Sequence, residues 1–135
     1  MFYKAFSIFL LTITLTACNE LPYNNLDNKQ LKTLLDNGTP IFDVRRPDEW
    51  RQTGVIKSSK LLTFVNGSGK LNPEFLPRFT SMVSKDDPVI LVCRTGNRTS
   101  QLARYLVEEL GYTNVHNVKN GITQWIRDKQ PVKRL

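Results

Sequence analysis

Cysteine and histidine are scarce in this chain. Two cysteines, Cys18 and Cys93, and one histidine, His116, stand among 135 residues. No cluster therefore has metal-ligand spacing, and no resident metal is expected. The contexts of Cys18 and Cys93 differ so much that no disulfide between them is expected. Glycine is thin too, seven in all, and no Gly-rich loop suits a nucleotide, so no cofactor is expected. Lys and Arg outnumber Asp and Glu by 19 to 12, a formal charge of +7. Yet no basic run is dense enough to form a nucleic-acid patch, and nucleic acid is not an expected partner. The surplus charge reads as a solvated basic surface that attracts small anions or an anionic membrane. Internal repeats are absent. A chain of this length with 40% hydrophobic content builds one domain with a real core.

A long uncharged apolar run occurs once, at the start, from Ala5 to Ala17 behind the single basic residue Lys4. It is shorter than the roughly 18–20 residues that span a bilayer as a helix, so it reads as a signal peptide. Its end, "LTAC", resembles the lipobox of bacterial lipoproteins. That resemblance implies lipidation of the Cys18 thiol, cleavage before it and acylation of the new amine. Acyl chains anchor stably at about 0.8 kcal/mol per buried CH₂. The expected organisation is a signal peptide over 1–17, a lipidated N-terminus and polar tether over 18–25, and a folded domain over 26–135. The protein is expected on the periplasmic side, lipid-anchored. Asn19 is not the aspartate associated with inner-membrane retention, which points to the outer membrane. Without residues 1–17 the charge falls to +6, because Lys4 is the only charged residue among them.

The rest of the chain alternates between short apolar runs and helical patterns. "NKQLKTLLDNG" predicts a helix with Leu31, Leu34 and Leu35 on one face and Gly38 as its stop. "PIFDV" predicts a strand, "RPDEWRQ" a helical turn with Pro47 near its start, and "SKLLTFV" another strand. "NPEFLPRFTSMV" opens a helix, and "PVILV" is a strand buried on both faces. Leu102, Tyr105, Leu106, Glu109 and Leu110 mark one stripe of the helix that follows. "NVHNV" and "GITQWIRDK" supply a last strand and a last helix. Strands separated by helices imply an α/β fold, a mainly parallel central sheet with helices on both faces.

In such a sheet, ligands bind beyond the carboxyl ends of the strands. Cys93 stands at one of those ends, directly before "RTGNR". Gly96 lets the loop amides turn inward, and the helix starting near Asn97 to Thr99 adds its positive end. Arg94 and Arg98 add positive charge. A lone cysteine closing a buried strand is often only a small core residue. This loop favours a reactive, anion-binding thiolate instead. His116, Trp50 and Trp125 receive structural readings: the histidine on a strand, the tryptophans in the core.

Here the chain resembles a known family. "CRTGNRTS" is similar to the active-site loop of rhodanese-fold sulfurtransferases, in which a cysteine carries a sulfane sulfur as a persulfide. "FDVRRPDEW", "GVI" and "NVKNGITQW" are similar to further segments of that family, and the likeness spans about residues 26 to 127. It is closest to small single-domain periplasmic thiosulfate sulfurtransferases. The resemblance implies a monomeric enzyme with Cys93 as nucleophile. It makes Arg94, Thr95, Gly96, Asn97, Arg98 and Thr99 the substrate-binding loop, and Asp43, Arg45 and Glu49 its structural support. Arg98 is expected to brace the loop by pairing with Asp43 or Glu49. The implied partners are thiosulfate or a similar sulfur anion, a thiol or cyanide acceptor, and the membrane through the lipid anchor.

Three positions depart from the family pattern. Val55 replaces a histidine, Ser58 a glycine and Asn120 the first of two late glycines. Loop length separates rival chemistries: four residues lie between Cys93 and Arg98. Cysteine phosphatases typically place one more there to cradle a tetrahedral phosphate or arsenate. Sulfur transfer is preferred on that ground. The alternatives are a non-catalytic sulfur- or anion-binding module and a phosphatase- or arsenate-reductase-like enzyme.

Overall fold

The computed structural model describes residues 18–135. The signal-peptide expectation for 1–17 lies outside the described residues; Cys18 itself is exposed. No helix among the described residues is long and apolar enough to cross a membrane.

Five short strands form one sheet: β1 (Asn24–Leu26), β2 (Ile41–Asp43), β3 (Lys60–Leu61), β4 (Val89–Val92) and β5 (Val115–Val118). Every pairing is parallel, in the order β1-β5-β4-β2-β3. The helices between and after them are α1 (Asn28–Asp36), α2 (Pro47–Thr53), α3 (Phe75–Met82), α4 (Asn97–Glu108) and α5 (Gly121–Arg127). Local chemistry starts them where it can. Asp27 and Gln30 make a reciprocal capping box at α1. Pro47 opens α2, where its missing N–H costs nothing.

The sheet is covered on both sides, as the alternation requires. On one face Phe42, Val89, Leu91 and Val115 meet Phe75 and Phe79 of α3 and Leu102, Ala103 and Leu106 of α4. On the other, Ile41, Ile90, Val92 and Val118 meet Leu31 of α1 and Ile122 and Trp125 of α5. Central β4 is buried along its whole length, which is why its sequence shows no polar alternation.

The chain leaves β2 toward β3 on one side, and leaves β4 toward β5 on the other. The two directions diverge between β2 and β4, and a crevice opens there beyond their carboxyl ends. Asp43 ends β2, and Cys93 follows β4.

Several elements differ from the sequence expectation. Asn24 and Asn25, expected in the tether, belong to edge strand β1 and pair with His116 and Asn117. A three-residue polar strand has no period to reveal it; β5 supplies its partner groups. The strand expected over 59–65 is regular only at Lys60–Leu61. Beyond it Val65 turns to bridge Leu71. The helix expected from residue 72 starts at Phe75, because Asn72 first closes a turn by accepting from the Glu74 and Phe75 N–H groups. Trp125 is buried, but Trp50 is only half-buried, its indole N–H donating to Asp43 at 3.0 Å.

The three departures sort by backbone angle. Val55 is buried, and its N–H and C=O both bond Lys133. Asn120 has φ −110° and needs no glycine. Ser58 has φ 71°, a left-handed conformation that favours glycine.

Candidate active site

Cys93 is 1% exposed, held where β4 gives way to α4. Its carbonyl accepts the Ile122 N–H at 2.9 Å, and that of Arg94 accepts the Thr123 N–H at 3.1 Å. The loop is thus strapped to the first turn of α5. Two glycines allow this approach. A Cβ on Gly96 (φ 93°) would lie 2.1 Å from the Lys119 carbonyl oxygen. One on Gly121 (φ 63°) would lie 2.2 Å from that of Arg94. No other residue type fits either place without backbone movement.

Gly96 caps α4, and its N–H donates to the Cys93 sulfur at 3.2 Å. The sulfur sits at the positive end of a twelve-residue helix. Thr99 Oγ1 stands 3.3 Å from it. Neither partner is basic enough to take the thiol proton, so no general base stands among the sulfur's hydrogen-bond partners. The arrangement suits a nucleophile that works as an anion.

Arg98 reaches across to α2. Its Nη1 and Nη2 donate to the two Glu49 oxygens at 2.8 and 2.5 Å, a two-pronged pairing. The Arg46 backbone N–H adds a third bond to Glu49 at 3.0 Å. Burial pushes the Glu49 pKa up, but those bonds and the charges of Arg98 and Arg46 outweigh it and hold the carboxyl at about 2. The same pairing raises the Arg98 pKa against the opposing effect of burial. Asp43 takes no part in it. Its carboxylate binds the wholly buried Arg45 through Nε and Nη2 at 2.9 and 2.8 Å. Arg45 then donates to Thr53 Oγ1 and the Gly54 carbonyl, fixing α2 against the sheet.

Of the residues expected to bind substrate, Arg94, Thr95 and Asn97 are exposed. Arg94 makes no ion pair among the described residues. Arg98 is engaged by Glu49, and Thr99 is buried behind the sulfur. Thr99 therefore offers no exposed surface to an anion, whereas half-buried Arg98 still faces the space beside the loop. A cavity of about 310 Å³ opens beside the loop, lined by Arg46, Asp48, Glu49, Gln52, Arg94 and Arg98.

A larger cavity, about 740 Å³, lies between β1 and α1 with His116 in its lining. It lies away from the loop, and its size alone gives it no chemistry. Burial pushes the His116 pKa down, and its Nε2 sits 2.8 Å from Asn114 Oδ1. No group of three or more His, Cys, Asp or Glu among the described residues is placed to hold a metal. Sequence reasoning missed Asn117, buried on β5 and bonded to Thr99, and the Gly121 brace. The signal for Gly121 was the glycine that remains when Asn120 replaces its neighbour. For Asn117 there was none beyond a polar residue in a short strand.

Residues 27–128 match the rhodanese-like domain family. Thiosulfate sulfurtransferase 18 of Arabidopsis thaliana is 31% identical over 113 residues, covering 80% of this chain and 82% of that protein. A sulfurtransferase of Allochromatium vinosum is 30% identical over 111 residues, covering 81% and 94%. The crystal structure of a rhodanese-related protein from Thermoplasma volcanium superposes with a TM-score of 0.62 at 25% identity, covering 82% of this chain and 98% of that one.

Proposed function

The chain belongs to the rhodanese-like domain family, and from that premise we propose that it is a sulfurtransferase working through a Cys93 persulfide. The observation that carries the reading is the setting of the sulfur. It sits at a helix N-terminus under the Gly96 N–H, and Arg94, next to it in the chain, is an exposed cation without a carboxylate partner among the described residues.

The Cys93 thiolate attacks the outer sulfur of thiosulfate. A new S–S bond forms, the S–S bond of thiosulfate breaks, and sulfite leaves with the electron pair. A nucleophilic acceptor, cyanide or a thiol, then attacks the outer persulfide sulfur and releases the thiolate. Arg94 holds the sulfonate end of the donor, whose oxygens match a guanidinium fork. Thr95, Gly96 and Asn97 shape the loop around the transferred sulfur. Arg98 and Glu49 brace that loop, with Asp43 and Arg45 behind them. Cys18 serves as the lipid anchor at a periplasmic membrane surface, and residues 19–23 tether a monomeric domain to it.

Mass spectrometry after incubation with thiosulfate tests the transfer. One added sulfur on wild type and none on Cys93→Ser is expected. A thiol that stays unmodified with every sulfur donor would leave a binding module, and hydrolysis of a phosphate ester would favour a phosphatase.

A further inference from the structure

Asn117 stands third in β5, 2% exposed, on the face that meets α4. An amide buried there needs partners, because an unpaired polar group costs free energy. It has two. Its Oδ1 lies 2.5 Å from Thr99 Oγ1, and its Nδ2 donates to Asn25 Oδ1 at 2.9 Å. Thr99 Oγ1 is in turn 3.3 Å from the Cys93 sulfur. Four side chains thus run from edge strand β1, through β5 and α4, to the nucleophile.

The hydroxyl of Thr99 has one proton. Three acceptors lie within its reach: Asn117 Oδ1 at 2.5 Å, the Gly96 carbonyl at 3.3 Å and the Cys93 sulfur at 3.3 Å. Pointed at the nearest, Asn117 Oδ1, it leaves an oxygen lone pair facing the sulfur. That polarity suits a thiol, whose S–H donates to the oxygen. It opposes a thiolate, which would face a lone pair. A half-turn of both amides keeps the shape and reverses the polarity: Asn25 Nδ2 donates to Asn117 Oδ1, Asn117 Nδ2 donates to Thr99, and the hydroxyl proton turns to the sulfur. An aspartate cannot make this reversal, because it only accepts.

We propose that Asn117 is a positioning residue which, by rotating its amide together with Asn25, aims the Thr99 hydroxyl proton to match the charge on Cys93. The proton points at Asn117 while Cys93 is a thiol and at the sulfur once it is a thiolate or persulfide. No proton travels along the relay; the thiol proton leaves to water. The proposal rests on the reading of Cys93 as a sulfur-carrying nucleophile. The charged groups around the sulfur are Arg94 beside it, Arg98 of α4 with its partner Glu49 of α2, the Asp43–Arg45 pair at the end of β2, and Lys119 after β5. The first turn of α5 carries no charged side chain.

The test is the pH profile of Cys93 alkylation by iodoacetamide, a neutral reagent, in the full chain with no sulfur donor present. Asn117→Asp should raise the midpoint, and so should Thr99→Val. The two should fail to add, with a coupling of about one to two pH units, the size of a hydrogen bond to a charged group. Thr99→Ser should restore the wild-type midpoint. Strict additivity would mean that the aspartate acts by its charge alone and would overturn the proposal. Should either buried variant not fold, half-buried Asn25→Asp serves instead. It locks the relay in the thiol polarity and should raise the midpoint by more than Asn24→Asp, which places the same charge at an exposed position of the same strand, while Asn25→Ala should not raise it. Equal shifts for the two aspartates overturn the proposal. Because no donor is used, failure of the transfer reading would appear separately, as wild type gaining no sulfur.

Discussion

Arg94 is the residue whose role depends most on its own charge. Two effects compete: stabilising the thiolate and binding the sulfonate. The Gly96 N–H and the α4 terminus already serve the sulfur, and an exposed arginine adds little to that. A charged hydrogen bond to the sulfonate is worth on the order of 1.5–3 kcal/mol, or roughly ten- to a hundred-fold in kcat/KM. Arg94→Ala should therefore raise KM for thiosulfate and leave the iodoacetamide reactivity of Cys93 nearly unchanged. A raised alkylation midpoint with constant KM would assign Arg94 to the thiolate instead. Ser58 offers a simpler test. Its φ of 71° costs about 1–2 kcal/mol for an L-residue, partly offset in a glycine variant by the greater chain entropy lost on folding. Ser58→Gly should stabilise the protein by about 0.5–1 kcal/mol, read as a higher urea midpoint at unchanged slope. A loss of stability would show that the serine side chain contributes more than its conformation costs.

At the scale of elements, α2 and α4 are joined across the crevice by Glu49 and Arg98. Glu49 has a folded-state pKa of about 2 against an ordinary 4.5. Its stabilising contribution is therefore complete above about pH 4.5 and is lost as pH falls toward 2. Urea titrations over that window should show wild type losing stability more steeply than Glu49→Gln, which has no proton to gain there. Parallel slopes would mean that the pair contributes nothing to folding. The Asp43–Arg45 pair is buried more deeply. Truncating Arg45 to methionine would strand the Asp43 charge and should cost about 3–5 kcal/mol, measured by the same titration. Losing less than about 1 kcal/mol would mean that water or a shifted partner replaces the guanidinium.

Over the whole molecule, the sheet order decides what the ends of the chain do. β1 begins at Asn24, so the link between Cys18 and the folded domain is residues 19–23. If Cys18 is the anchor, the domain sits close to the membrane surface, where the net charge of +6 that remains without residues 1–17 favours anionic lipid. Cys18→Ser should block lipidation and leave a precursor retaining residues 1–17, visible by intact mass. A soluble chain processed at the same place in both forms would remove the anchor and leave the sulfur chemistry unaffected. What the sequence by itself determined was whatever local chemistry writes down. The buried run of β4 fixed the central strand, Leu102 and Leu106 marked the inner face of α4 although Tyr105 and Glu109 of the expected stripe lie exposed, and Cys93-x₄-Arg98 marked the loop, because burial period and backbone freedom are properties of neighbouring residues. The tertiary structure alone decided that Asn24–Leu26 is a strand, that Arg98 chooses Glu49 over Asp43, and that Asn25, Asn117 and Thr99 stand in line behind the sulfur. Those pairings join residues 18 to 92 positions apart. A short polar strand or a buried amide has no local signal, since its partners are supplied only when the sheet brings them together.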